Sequence, residues 1–367
     1  MRIGFDAAPA FSSYSGIGQY VRSLFPAMVN LATDIEWVGY TPAVIDKKIH
    51  PLGDHPSLAY RQNDAIWKPR GFNGDCQAMD IFHGTNFKAP NLGQHYSVLT
   101  IHDLWLTRNP QYSKKLFGQA LSSWKLGRRA MRMSKIIAVS EFSAREIYQI
   151  FGVPRAHIAV IHHGCSLNMY VDRREEKFHE VRQRFGLPEK PFVLFVGGAE
   201  PRKNHRMLFA AFSQSKSLSR EFGLVAVGDV DSRGENLFRT AYELGISDVV
   251  CCPGLVTAEE LRLLYSFASV FVFPSLYEGF GIPVLEAMAC GAPVIATGHT
   301  AIPEVAGDAA SYVDVNNVEQ LVMRLKLILN NEAEQQTLKE LGFQRVKRFT
   351  WNRAAQETLS VYREVTA

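Results

Sequence analysis

No apolar run in this 367-residue chain approaches the roughly 20 residues that a membrane-crossing helix needs, which argues against a helical span. The first residues, Met-Arg-Ile-Gly-Phe-Asp, carry an acid at position 6 and read as a strand, not as a secretory leader. Cysteine is scarce and odd in number: Cys76, Cys165, Cys251, Cys252 and Cys290 show no metal-ligand spacing and behave as small core residues. A cytoplasmic protein is therefore expected. No nucleic-acid-binding motif is present, and no nucleic-acid partner is expected. Acid is missing altogether between Asp103 and Glu141. That stretch holds Arg108, Lys114, Lys115, Lys125, Arg128, Arg129, Arg132 and Lys135, interleaved with Leu116, Phe117, Leu121, Trp124 and Leu126. Such a segment suits an anionic membrane surface, a solvated helix face or the anion-binding side of an acceptor groove.

The remaining composition is that of a globular α/β protein, and the length suggests two domains. Strand and helix patterns alternate, which implies parallel sheets. Strands are expected at 2–5, 35–40, 81–83, 97–101, 135–139 and 158–161, with helices at 18–31 and from Glu141. Residues 45–75 read as irregular. After a charged helical stretch at 172–186, a second set of strands follows at 192–196, 224–227, 249–252, 270–273 and 293–296, with a helix at 204–213.

The densest information lies in residues 273–291, Phe-Pro-Ser-Leu-Tyr-Glu-Gly-Phe-Gly-Ile-Pro-Val-Leu-Glu-Ala-Met-Ala-Cys-Gly. A buried strand ends at Pro274, the chain passes Gly279, Phe280 and Gly281, and a helix opens with Pro283 at its first position. The glycines let a ligand come close to the backbone. The amides of Ile282, Val284 and Leu285 would then offer an anion site at the helix N-terminus. Glu278 and Glu286 bracket it, and carboxylates accept hydrogen bonds from sugar or ribose hydroxyls. A diphosphate between two polyols, a nucleotide-sugar, fits this pattern. Glutamates also occur near helix starts for capping and dipole reasons alone.

This stretch resembles the signature of the retaining glycosyltransferases of family 4. Their two glutamates, separated by seven residues, correspond to Glu278 and Glu286, followed by Ala287, Gly291, Pro293, Val294, Ile295 and Ala296, then Pro303, Glu304 and Gly307. The resemblance implies a GT-B fold: two doubly wound, Rossmann-like α/β domains facing across a cleft. Residues 1–168 would bind acceptor, 169–349 would bind the nucleotide-sugar, and a helix at 350–367 would return to the first domain.

Further motifs fall just after strands, where ligands bind in open α/β sheets. Gly-Gly-Ala-Glu-Pro-Arg-Lys-Asn at 197–204 offers Arg202 as a bidentate group and Lys203 as a point charge for a diphosphate. Some family members carry Arg where this chain has Gly198, so the cation work falls on Arg202 and Lys203. Gly16 and Gly18, in Tyr14-Ser-Gly-Ile-Gly18, resemble the family's first glycine loop; Val21 stands where a dinucleotide fingerprint needs a third glycine. His102, followed by Asp103, matches the family's histidine expected to contact the donor sugar, and His83 follows the same logic. Leu255 sits where the nucleotide base is expected.

The implied reaction is a metal-independent, retaining transfer without cofactor, from a nucleoside diphosphate-sugar to a glycan or lipid-linked hydroxyl. In it, His102, Glu278, Arg202 and Lys203 do the chemistry. The donor contacts add Gly16, Gly18, Leu255, Gly279, Phe280, Gly281, Ile282, Val284, Leu285 and Glu286. Asp229-Val-Asp231 is read as a loop and not as a metal site. The forms Glu-Pro-Arg-Lys-Asn and Phe-His-Gly-Thr-Asn resemble mannosyltransferases of bacterial surface polysaccharide. GDP-mannose and peripheral placement at the inner face of the plasma membrane are expected. A UDP-sugar-dependent transferase, a nucleotide-sugar epimerase and a non-catalytic binding module are the alternatives. A glycoside hydrolase is disfavoured, because it would need both carboxylates flanking one bond.

Overall fold

A computed structural model describes residues 1–11, 16–41, 51–53, 55–62, 79–89, 96–113, 116–166, 170–232 and 235–367. The chain divides into two compact units, Met1–Gly164 with Phe349–Ala367, and Cys165–Arg348.

In the first unit, β1 (Arg2–Asp6), β2 (Glu36–Thr41), β3 (Leu58–Gln62), β4 (Ile81–Gly84), β5 (Tyr96–Ile101), β6 (Lys135–Ala138) and β7 (Ile158–Val160) form a parallel sheet. Its order is β3-β2-β1-β4-β5-β6-β7. The strands are short apolar runs because helices cover both faces. Ile3 and Phe5 enter one core with Phe25, Trp351, Leu359 and Tyr362, while Phe82, Leu99 and Ile136 belong to another. The helix Trp351–Thr366 thus packs in the first unit against the helix Gly16–Leu31, and Thr350 caps it by accepting from Arg353 N–H. Gly164 permits this docking: a Cβ there would lie 2.2 Å from Trp351 N.

The strand β3 corrects the reading of 45–75 as irregular. Among the described residues it pairs only with β2, and Leu58, Ala59, Tyr60 and Arg61 are not fully buried, so an apolar or alternating signal is absent. Residues 45–50, 54 and 63–75 of that region lie outside the described residues.

In the second unit, β8 (Phe192–Val196), β9 (Gly223–Val227), the hairpin of β10 (Asp231–Ser232) and β11 (Glu235–Asn236), β12 (Val250–Gly254), β13 (Val270–Phe273), β14 (Val294–Thr297) and β15 (Ala310–Val313) follow in turn. The main sheet is parallel, in the order β12-β9-β8-β13-β14-β15. β15, a short and partly polar edge strand, was not anticipated.

Each sheet has one place where strand order reverses, between β1 and β4 in the first unit and between β8 and β13 in the second. In open α/β sheets, ligands bind at the carboxyl edge beside such a reversal.

Candidate active site

At the reversal in the second unit, the loops after β8 and β13 are stitched together. Leu276 N–H donates to Arg202 O at 2.7 Å, and Asn204 Nδ2 donates to Pro274 O at 3.1 Å. This brings three charged groups into one cluster. Arg202 Nη1 lies 3.0 Å from Glu278 Oε2, and Lys203 Nζ lies 2.7 Å from Glu278 Oε1. Arg202 Nε also donates to Glu200 Oε2 at 2.8 Å. Burial pushes the Glu278 carboxyl up, but Lys203 and Arg202 outweigh it and leave it below its ordinary value. Burial, aided by the charge of Arg202, lowers the Lys203 ammonium. The Lys203 ammonium stands over the Phe273 ring, 5.1 Å from its centre, and Gly197 gives its stem room.

The sequence pattern treats Arg202 and Lys203 as diphosphate ligands and Glu278 as a separate sugar ligand. In the fold they are one ion-pair network, in which Glu278 holds two like charges side by side. Glu200 is a member that the pattern left without a role, although it stands two residues before Arg202.

The helix Ile282–Ala289 starts behind this cluster. Gly281 is its N-cap at φ +110°, so Pro283 occupies the second helical position, not the first. A Cβ at Gly281 would also meet Ile302 Cδ1 at 2.6 Å, so a close approach and a left-handed backbone both favour glycine here. Val284 N–H is not available to an anion, contrary to expectation: it donates to Gly281 O at 3.0 Å, because the first turn is tight. Phe280, Ile282, Val284 and Leu285 are buried apolar side chains, so these four residues have only backbone atoms to offer a polar ligand. Gly279 lies between Glu278 and Phe280 and has no left-handed backbone. Glu286 is 6 % exposed and its Oε2 accepts from Tyr265 O–H at 3.4 Å. Burial, then the Glu286 charge, pushes the neighbouring Cys290 thiol up to about 12. Leu255 is half-exposed just beyond β12, after Gly254 at φ +76°. Asp229 O accepts from Ala199 N–H, and Asp231 lies in the β10–β11 hairpin.

In the first unit, His102 follows β5 and is 8 % exposed. Its Nε2 lies 2.8 Å from Thr85 O, and a carbonyl only accepts, so Nε2 carries the proton and Nδ1 keeps a lone pair. Burial lowers its pKa to about 4, so the ring is neutral near pH 7. Tyr20 packs edge-on against His102 and His163 stacks on it, with ring centres at 4.9 and 5.5 Å. His83 is a buried structural link: its Nδ1 meets Tyr362 O–H at 2.6 Å and its Nε2 meets Thr100 Oγ1 at 2.7 Å. Asp103 accepts from Trp105 N–H through Oδ1. Gly16 and Gly18 do not form a loop; both lie in the first turn of the helix Gly16–Leu31, while Tyr14 and Ser15 lie outside the described residues. The space around Gly16 is open, with nothing within 4 Å of a Cβ built there.

Two doubly wound parallel α/β units, the second with a cation pair and a carboxylate at its strand-order reversal, have the GT-B fold of glycosyltransferases. Residues 14–168 match the family model of glycosyltransferase family 4, and residues 177–345 match that of glycosyl transferases group 1. The chain belongs to the family 4 glycosyltransferases and is a glycosyltransferase. It is 28 % identical to O-antigen chain mannosyltransferase B of Escherichia coli, over 99 % of this chain and 100 % of that protein. Sucrose-phosphate synthase from Thermosynechococcus elongatus has a similar fold, with a TM-score of 0.77 at 22 % identity over 99 % of this chain and 98 % of that one. HepE of Anabaena, solved with UDP and glucose, has a TM-score of 0.76 at 17 % identity over 98 % of each chain.

Proposed function

We propose that this enzyme transfers mannose from GDP-mannose, with retention, to a hydroxyl of a lipid-linked or oligosaccharide acceptor in surface-polysaccharide synthesis. The observation that carries the transfer chemistry is the Arg202–Lys203–Glu278 network at the β8/β13 reversal. As the anomeric bond breaks, negative charge grows on the leaving diphosphate, and the two cations meet it in a buried site. They can neutralise that charge, so the proposal includes no metal. Glu278, released from its cations by the diphosphate, accepts from a hydroxyl of the donor sugar. Glu286 takes the ribose hydroxyls, and Leu255 covers the base. In the first unit, the lone pair on His102 Nδ1 accepts from a sugar hydroxyl. No nucleophile is assigned: the leaving phosphate takes the acceptor proton in a front-face displacement. The likeness to an O-antigen chain mannosyltransferase along its whole length supports the choice of mannose.

Thermal-shift titration tests the donor. GDP and GDP-mannose should raise Tm while UDP, ADP and dTDP leave it near the ligand-free value, because a native-state ligand stabilises by mass action. A preference for UDP would replace the donor. In Glu286→Ala the GDP affinity should drop about 10- to 100-fold, the loss of charge-assisted hydrogen bonds. Unchanged affinity would sink the ribose assignment.

The acceptor side carries a membrane-facing surface in this proposal. Trp124, Leu121 and Met131 are more than half exposed around the helix Leu116–Ala130, and the Arg128 guanidinium stands 4.8 Å from the Trp124 ring centre. Ser123, Trp124, Arg128, Met131 and Arg132 line an open groove of about 570 Å³ floored by Ile150 and Phe151. Apolar side chains ringed by arginine, in a stretch without acid, complement an anionic bilayer surface. Lys114 and Lys115 of this stretch lie outside the described residues. The double variant Arg128→Glu, Arg132→Glu should bind phosphatidylglycerol vesicles at least tenfold more weakly in a flotation assay, at about 1 kcal/mol per basic residue. Equal flotation of both proteins would remove the membrane from the proposal.

A further inference from the structure

The carboxyl edge of the first sheet holds a second group that the family signature does not name. Asp6 ends β1 at the β1/β4 reversal and is 3 % exposed. Its Oδ1 accepts from Ala8 N–H at 3.1 Å, and among the described residues no other donor reaches the carboxyl. Lys88 contributes only a longer-range attraction. The other titratable groups nearby are Tyr40, its register partner on β2, and the neutral rings of His83 and His102. Thr85, which follows β4, bridges the reversal: its hydroxyl donates to Asp6 O at 2.7 Å while its own carbonyl accepts from His102 Nε2. One short chain of hydrogen bonds therefore fixes Asp6 and His102 relative to each other.

The turn at Ala8 does not explain a carboxylate. An asparagine would accept the Ala8 N–H equally well and would carry no charge into a buried position. Burial raises the Asp6 carboxyl to about 7, a penalty that the turn does not require. A carboxylate with one oxygen engaged and the other without a donor among the described residues, at the place in the sheet where ligands bind, suits a hydroxyl donor.

We propose that Asp6 is a further substrate-contacting residue, whose second carboxylate oxygen accepts a hydrogen bond from a hydroxyl of the acceptor sugar. This rests on the glycosyl transfer proposed above and adds a recognition role on the acceptor side.

The test is initial-rate kinetics of the full-length wild type and Asp6→Asn, with GDP-mannose as donor and octyl α-mannoside as acceptor, beside acceptor-free donor hydrolysis. Asn keeps the Ala8 turn and puts an amide donor in place of the second carboxylate oxygen. The expected result is an acceptor KM at least tenfold higher, with donor KM and donor hydrolysis unchanged. The Asp6→Asn Tm should equal or exceed that of the wild type, and the gap should widen by a few degrees from pH 4 to pH 7. The sign follows from the raised folded-state pKa, since stability is lost as pH rises through it and Asn has no such loss. A wild-type acceptor KM in Asp6→Asn overturns the inference, and so does a matching rise in donor KM and fall in donor hydrolysis. If the wild type itself transfers no sugar, the parent reading has failed and the inference falls with it.

Discussion

Lys203→Ala is expected to lower kcat/KM for the donor by about 10²- to 10³-fold, the usual loss when one preorganised charge is removed from a transition-state site. Most of this should appear in kcat, because in the proposed role the ammonium interacts more strongly with the departing diphosphate than with the bound, intact donor. The ligand-free enzyme should tolerate the change, since Glu278 keeps its pair with Arg202 at 3.0 Å. Lys203→Arg should not restore activity. The stem of Lys203 passes within 3.3 Å of where a Cβ at Gly197 would sit, and a planar fork does not replace a point charge in that space. Steady-state kinetics with each substrate varied would show the split. A variant with raised donor KM and intact kcat would mean that Lys203 only binds ground-state donor.

The second large effect is on stability. Gly164→Ala should destabilise the first unit by about 3 kcal/mol or more, at the upper end of what overpacking costs. The added methyl would fall 2.2 Å from Trp351 N and 2.6 Å from Thr350 C, both backbone atoms at the start of the helix Trp351–Thr366. Backbone cannot rotate out of the way as a side-chain end can. The helix must shift, taking Trp351, Leu359 and Tyr362 out of the core they share with Phe5 and Phe25. Chemical denaturation followed by tryptophan fluorescence should show a lower midpoint and a solvent-exposed indole. A midpoint equal to that of the wild type would mean that the helix docks without close contact at Gly164.

Much of this protein is legible in the linear chain. Buried parallel strands must be short apolar runs, so Phe192–Val196 and Val270–Phe273 announce themselves without any partner. Edge strands need satisfy only one neighbour, so Leu58–Gln62 and Ala310–Val313 carry too little apolar pattern to be seen. The glutamate pair at 278 and 286 and the Arg202-Lys203 pair stand out in the linear chain because their residue types and spacing match the family signature. Composition also marks the acid-free stretch between Asp103 and Glu141.

Three-dimensional packing alone decided which of those groups share a site. Arg202 and Lys203 stand more than seventy positions from Glu278, and only the β8/β13 adjacency makes them one ion-pair network. The same holds for Asp6, Thr85 and His102, which β1, β4 and β5 bring together. Sequence pattern reports what each segment must bury, because burial is a local demand on residue type. Charges that meet across strands are set by sheet order, and no local preference encodes that order.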